Sequence, residues 1–183
     1  MALYIVLGVI AVLALWLIGV FNSLVRSRNR VREAWSDINV QLRRRHDLIP
    51  NLVETVKGYA AHEKEVLENV VHARTEAVTA GGMEQKAQAE NMLTGALKSL
   101  FALSEAYPNL KANENFAKLQ DELSDTENKI QAARRFYNTN VMDYNTKLEQ
   151  FPTNMIASSF DFHRENFFQL DNPTEAELPK VNF

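Results

Sequence analysis

Cysteine is absent from this chain of 183 residues, which rules out a disulfide framework, a thiolate zinc site and a cysteine nucleophile. The redox compartment is therefore unmarked. Glycine and proline are scarce, with six and five residues. They fall at isolated points instead of recurring at short intervals, which argues against a many-turned β-domain and for long helices. Neither phosphate-binding glycine pattern occurs, nor a G-x-S-x-G nucleophile elbow. The four histidines are 46, 62, 72 and 163, and three residues before them stand Arg43, Tyr59, Asn69 and Phe160, so the Glu-x-x-His of a di-metal helical bundle is missing. His62-Glu63 begins like HExxH, but Val66 fills the fifth position. No internal repeat and no low-complexity segment is present.

Charge is missing from the first 21 positions, and here absence becomes a signal. Ala2–Phe21 is an unbroken apolar run; at 1.5 Å per residue it spans about 30 Å, the thickness of a hydrocarbon core. It predicts a transmembrane anchor over residues 1–22. A cleaved signal peptide would carry a basic residue before the run and a small-residue cleavage site after it. Asn22-Ser23-Leu24-Val25-Arg26 follows instead.

Arg26, Arg28, Arg30 and Arg32 lie just beyond the run and only Met1 lies before it. The positive-inside rule then places the amino end outside and the rest of the chain in the cytoplasm, with a bacterial inner membrane as the expected setting. These arginines are either a solvated face that holds topology or a contact for lipid headgroups. Seven Arg against Glu33 and Asp37 give residues 26–45 a net charge of +5, so with −3 overall the remainder carries −8. A basic collar on an acidic body suits a membrane surface and does not suit nucleic acid.

Beyond the collar, Val31, Ala34, Ile38 and Leu42 repeat at helical spacing. Asp47 and Pro50 in HDLIPNL then mark a kink or short break, with Asp47 placed to cap a new helix and Pro50 in its first turn. A second stripe runs from Ile49 through Val56, Val66 and Val70 to Ala77 and stops at Gly81-Gly82. A third helix fits residues 83–107, closed by Pro108. A fourth fits residues 115–150, where Phe116, Leu119, Leu123, Ile130, Tyr137, Val141, Tyr144 and Leu148 approach a heptad, coiled-coil-like seam interrupted by Thr126 and Asn140. Short connections between long helices predict an antiparallel up-and-down bundle over residues 23–150. Residues 151–183 form a tail rich in aromatics, including Phe160, Phe162, Phe167, Phe168 and Phe183. Either it folds back on the bundle, or part of it, such as Val181 and Phe183, docks on a neighbouring subunit or partner.

Four segments together closely resemble the LemA family of bacterial membrane proteins: YIVLGVIAVLAL as an anchor, NSLVRSRNRVREAWSDINVQLRRRHDLIPNLVETVKGYAAHEKEVLENVVHAR, SEAYPNLKANENFAKLQDELSDTENKIQAARRFYNTNVMDYN, and the ending with FPTNMIASSF and PKVNF. The resemblance spans nearly the whole chain and is weakest near residues 75–95. It implies an all-α protein with an N-terminal transmembrane helix, a four-helix type bundle and an aromatic C-terminal tail. It also implies an association with envelope stress and membrane proteases, and it transfers no catalytic residue, metal or cofactor.

The expected function is a non-enzymatic scaffold or adaptor that self-assembles as a homo-oligomer and contacts membrane lipids and other membrane proteins. The competing expectation is a sensor that passes the state of the bilayer through a helix continuous with the bundle, with packing near Pro50 as its movable part.

Overall fold

In the computed structural model, which describes residues 1–169, every regular element is an α-helix and no strand occurs among the described residues. The elements are α1 (Ala2–Lys57), α2 (Lys64–Thr79), α3 (Met83–Ser104), α4 (Pro108–Lys111), α5 (Glu114–Glu149) and α6 (Thr153–Ser159). Val181 and Phe183, expected to dock on a neighbouring subunit or partner, lie outside the described residues.

The chain divides into two units, one built from Met1–Ile38 and Ala132–Phe167, the other from Asn39–Gln131 with the segment beginning at Phe168. In the first unit the start of α1 is long and apolar enough to cross a membrane. Its side chains from Ala2 to Ile18 are exposed, a continuous apolar surface far larger than soluble monomers present to water. Beyond it Leu24, Val31, Ala34 and Ile38 are buried together with Tyr137, Val141, Tyr144 and Leu148 of α5. Trp35 meets Tyr137 with ring centroids 5.5 Å apart, and Lys147 Nζ donates to Ser27 Oγ at 2.6 Å. As position rises along one helix it falls along the other, so these two stretches run antiparallel.

A C-terminal turn closes α6. The amide of Phe162 bonds the carbonyl of Ala157 at 3.0 Å and Asp161 takes a left-handed φ of 58°, the residue-after-the-cap geometry in which aspartate is tolerated. The chain then lies against α1 and α5. Asn145 binds the backbone of Glu165 twice, donating to its carbonyl at 2.9 Å and accepting from its amide at 3.0 Å. Tyr137 Oη donates to the carbonyl of Asn166 at 2.9 Å. Two side chains thereby supply hydrogen bonds that this extended backbone lacks from secondary structure.

In the second unit one hydrophobic core takes Ile49, Leu52 and Val56 from α1, Val70 from α2, Leu93 and Leu100 from α3, Leu110 from α4 and Phe116 from α5. Burial of each such side chain stabilises by about 1.5–3 kcal/mol. Gly82, at φ 80°, opens α3 in a conformation that favours glycine. Asn113 caps α5, its Oδ1 accepting the amide of Phe116 at 2.9 Å.

Two helix ends differ from expectation. The stripe from Ile49 to Ala77 is not one helix: α1 ends at Lys57, residues 58–63 turn, and α2 begins at Lys64. Gly58 is a poor helix former, and the turn there buries Ala60 in the core. The helix expected over 83–107 stops at Ser104, and Pro108 opens α4 as its first residue, where a missing N–H is harmless. Thr126, which interrupts the stripe of α5, is fully buried, and its hydroxyl donates to the carbonyl of Glu122 at 2.7 Å.

Candidate functional site

Pro50 does not divide α1. The helix passes through Asp47 and Pro50 to Lys57, so Asp47 starts no new helix. Proline has no N–H, which in an α-helix leaves the carbonyl four residues earlier without its partner. That carbonyl belongs to His46, and Arg74 of α2 donates to it through Nε at 2.7 Å. A cation from a neighbouring helix thus fills the gap that proline opens, and α1 continues.

The same level of the second unit holds a buried charge cluster. The carboxylate of Glu90, in α3, is fully buried. Its Oε2 accepts from Arg45 Nη1 at 3.3 Å and its Oε1 lies 2.7 Å from His46 Nε2. Arg45 Nη2 donates to Thr94 Oγ1 at 2.7 Å, and Nη1 also lies 3.5 Å from Glu127 Oε2 of α5. Thr94 in turn donates to the carbonyl of Glu90 at 3.0 Å. With Arg74, four helices are tied at one level.

A buried ion pair returns little net stability against well-packed apolar side chains, but removal of one partner strands the other charge. The arrangement therefore fixes which helix faces meet. It is poorly suited to acid or base chemistry, since both oxygens of Glu90 are engaged and the carboxylate has no exposed surface. A cleft of about 360 Å³ opens beside Arg45, lined also by Thr94, Lys98, Phe101 and Gln120. A second, of about 400 Å³, opens beside His46 with Arg43, Asp47, Arg74 and Lys86 around it. Among the described residues no group of three or more histidines and carboxylates is placed to hold a metal ion.

The arginines of the collar separate by environment. Arg26, Arg30 and Arg32 are exposed, whereas Arg28 is partly buried and lays its guanidinium over the ring of Phe162, 4.9 Å from the centroid. Of the tail aromatics, Phe162 and Phe168 are buried, while Phe160 and Phe167 remain largely exposed. Phe160 and Phe162 both make edge contacts with Phe21, at 5.1 and 5.7 Å.

Burial also acts on the tyrosines of the first unit. Tyr137 is pushed up to about 12, by burial first and by the Glu165 carboxylate second. Tyr144 is raised chiefly by burial.

Sequence reasoning missed Glu90, Arg45, Thr94 and Arg74. One signal was available: counting back from Leu100, Leu97 and Leu93, the next position on the apolar stripe is Glu90, and a carboxylate on a buried face needs a cationic partner.

The family model described as "LemA family" matches residues 34–183. The chain is similar to Protein LemA of Metamycoplasma hominis, 29% identical over 157 residues that cover 83% of this chain and 70% of that one. It is similar also to Magnetosome protein MamQ 2 of Paramagnetospirillum magneticum, 26% identical over 190 aligned positions covering 90% and 70%. Magnetosome protein MamQ of Magnetospirillum gryphiswaldense is 24% identical, with 81% and 64% covered.

Proposed function

The chain belongs to the LemA family, and from that premise we propose that it is a non-enzymatic scaffold or adaptor held at a membrane by the start of α1. The observation that carries this reading is the uncharged, exposed stretch Ala2–Ile18 on a chain in which the buried charges of Arg45, His46 and Glu90 are engaged with one another. The first needs a hydrocarbon environment. The second organises helices and engages both oxygens of the buried Glu90 carboxylate. The names of the magnetosome relatives state membership of a structure and no reaction, which accords with an assembly role.

In this reading the helical body is an antiparallel four-helix type bundle and the anchor is single-pass. Its amino end lies outside and its body in the cytoplasm of a bacterium, as the arginines at 26, 28, 30 and 32 favour. The protein self-associates and binds other membrane proteins, with envelope-stress proteins and membrane proteases as the first partners to seek. The bilayer-sensor alternative relies on looseness near Pro50, and the bond from Arg74 to the His46 carbonyl argues for a filled joint there.

Since the chain has no cysteine, single cysteines at exposed sites report topology without background. Thr139→Cys in intact cells should resist an impermeant thiol reagent until the membrane is opened; labelling of intact cells would reverse the orientation. Proximity labelling from the carboxyl end should enrich membrane proteins, and recovery of soluble enzymes alone would oppose an adaptor.

A further inference from the structure

From Gln150 to Phe160 the chain reads QFPTNMIASSF and holds no charged residue, with Glu149 before it and Asp161 after it. Ile156 and Ala157 face inward and are buried, but Phe151 is 80%, Met155 63% and Phe160 59% exposed. Three large apolar side chains within ten residues are thus left mostly uncovered by the folded chain. The ring contact between Phe160 and Phe21 fixes their place, 5.1 Å between centroids, because Phe21 is the last residue of the unbroken apolar run of α1. Where that run crosses a bilayer, Phe21 lies at the edge of the hydrocarbon, and the segment packed against it lies at the same height.

Immediately beyond this height the polarity changes. A cleft of about 210 Å³ is lined by Ser27, Arg30, Asn140, Asp143, Lys147 and Gln150. Ser27 stands six residues past Phe21, about 9 Å along the helix, just beyond a headgroup layer roughly 5–7 Å deep. Arg30 and Lys147 thus bring two cations against one anion, Asp143, and long basic side chains reach back toward an interface. Apolar side chains at the hydrocarbon edge with cations just above them match the layering of a phospholipid surface.

We propose that residues 151–160 are a second membrane contact, an interfacial foot that sets Phe151, Met155 and Phe160 among the upper acyl chains of the leaflet into which α1 emerges, with Arg30 and Lys147 at its phosphates. The foot rests on the membrane-anchored reading. It gives the folded body two points of attachment and so restrains its rotation about α1.

The test uses the full chain in nanodiscs holding one copy each, with single cysteines carrying an environment-sensitive fluorophore at Phe151→Cys, Met155→Cys or Phe160→Cys. Leu13→Cys is the anchor reference and the exposed Val78→Cys the aqueous one. The foot gives blue-shifted emission at all three positions and loss of intensity with lipids brominated near the headgroup end, while Val78→Cys is unaffected. Met155→Cys removes no ring stacked on Phe21, which guards against a label that merely displaces Phe160. Emission like that of Val78→Cys, with Leu13→Cys still quenched, overturns the foot and leaves the anchor standing. Blue-shifted emission that brominated lipids do not quench means that protein covers the segment, and this also overturns the foot. An unquenched Leu13→Cys removes the anchor and the foot together.

Discussion

Arg74 donates its Nε hydrogen to the carbonyl of His46 at 2.7 Å, and that carbonyl is the one Pro50 leaves without a partner inside α1. The two residues are far apart in sequence and on different helices, yet they answer one another. A proline that would interrupt a helix in isolation is tolerated because α2 supplies the missing donor.

This relation predicts coupling. Arg74→Met keeps most of the stem and removes the donor, and should destabilise the protein by about 1–3 kcal/mol, as loss of a charge-assisted bond to a buried carbonyl does. In a Pro50→Ala background position 50 regains its N–H, and the same change should cost much less. Denaturant unfolding of the four proteins gives the interaction energy, expected at roughly 1–2 kcal/mol. Equal losses in both backgrounds would show that Arg74 does not act for Pro50.

The buried carboxylate makes a second prediction. Glu90→Leu leaves the buried Arg45 charged and without its main partner, a change of about 3–5 kcal/mol. Glu90→Gln keeps the shape and an acceptor and should cost less. If Glu90→Leu proves as stable as the parent protein, water reaches Arg45 and the site is not closed.

Much of the fold is legible along the chain, because apolar spacing is local information. Val31, Ala34, Ile38 and Leu42 are all buried, and α5 begins and ends within one residue of the limits its stripe suggests. Beyond the place of Glu90 on an apolar stripe, the pairings of the cluster were illegible for the opposite reason. Arg45 and Glu90 are separated by 45 positions and His46 and Glu90 by 44, so neither pairing leaves a trace in a sequence window. Pro50 misleads in the same way: its local meaning is a break, and only a donor 24 residues on changes it. Gly58, where α1 does stop, carries a weaker signal than proline and lies within an otherwise helical stripe.

Alkaline pH should weaken the first unit. Tyr137 holds its proton up to about 12 when folded against 10.0 as its ordinary value, so between those values the unfolded chain has lost a proton that the folded one retains. Stability is therefore intact below about pH 10 and falls as the pH rises toward 12. Tyr137→Phe should reduce that slope, leaving the smaller share of Tyr144, and should lose about 1 kcal/mol at neutral pH with the bond to Asn166. Unfolding measured at successive pH values checks this; an unchanged slope in the variant would place the titration elsewhere.

Asn145 should hold the segment after α6 in place. Asn145→Ala removes both bonds to Glu165, and amide exchange across residues 162–167 should accelerate while α2 and α3 stay protected. Protection equal to the parent at Glu165 would mean that ring packing alone secures the segment.

The most direct test of a membrane-held scaffold is the mass of the particle extracted with its lipids in gentle detergent, read by mass photometry over a wide concentration range. A scaffold gives a particle larger than one chain and its detergent, built of several copies or of copies with other membrane proteins. Single chains alone at every concentration would contradict it.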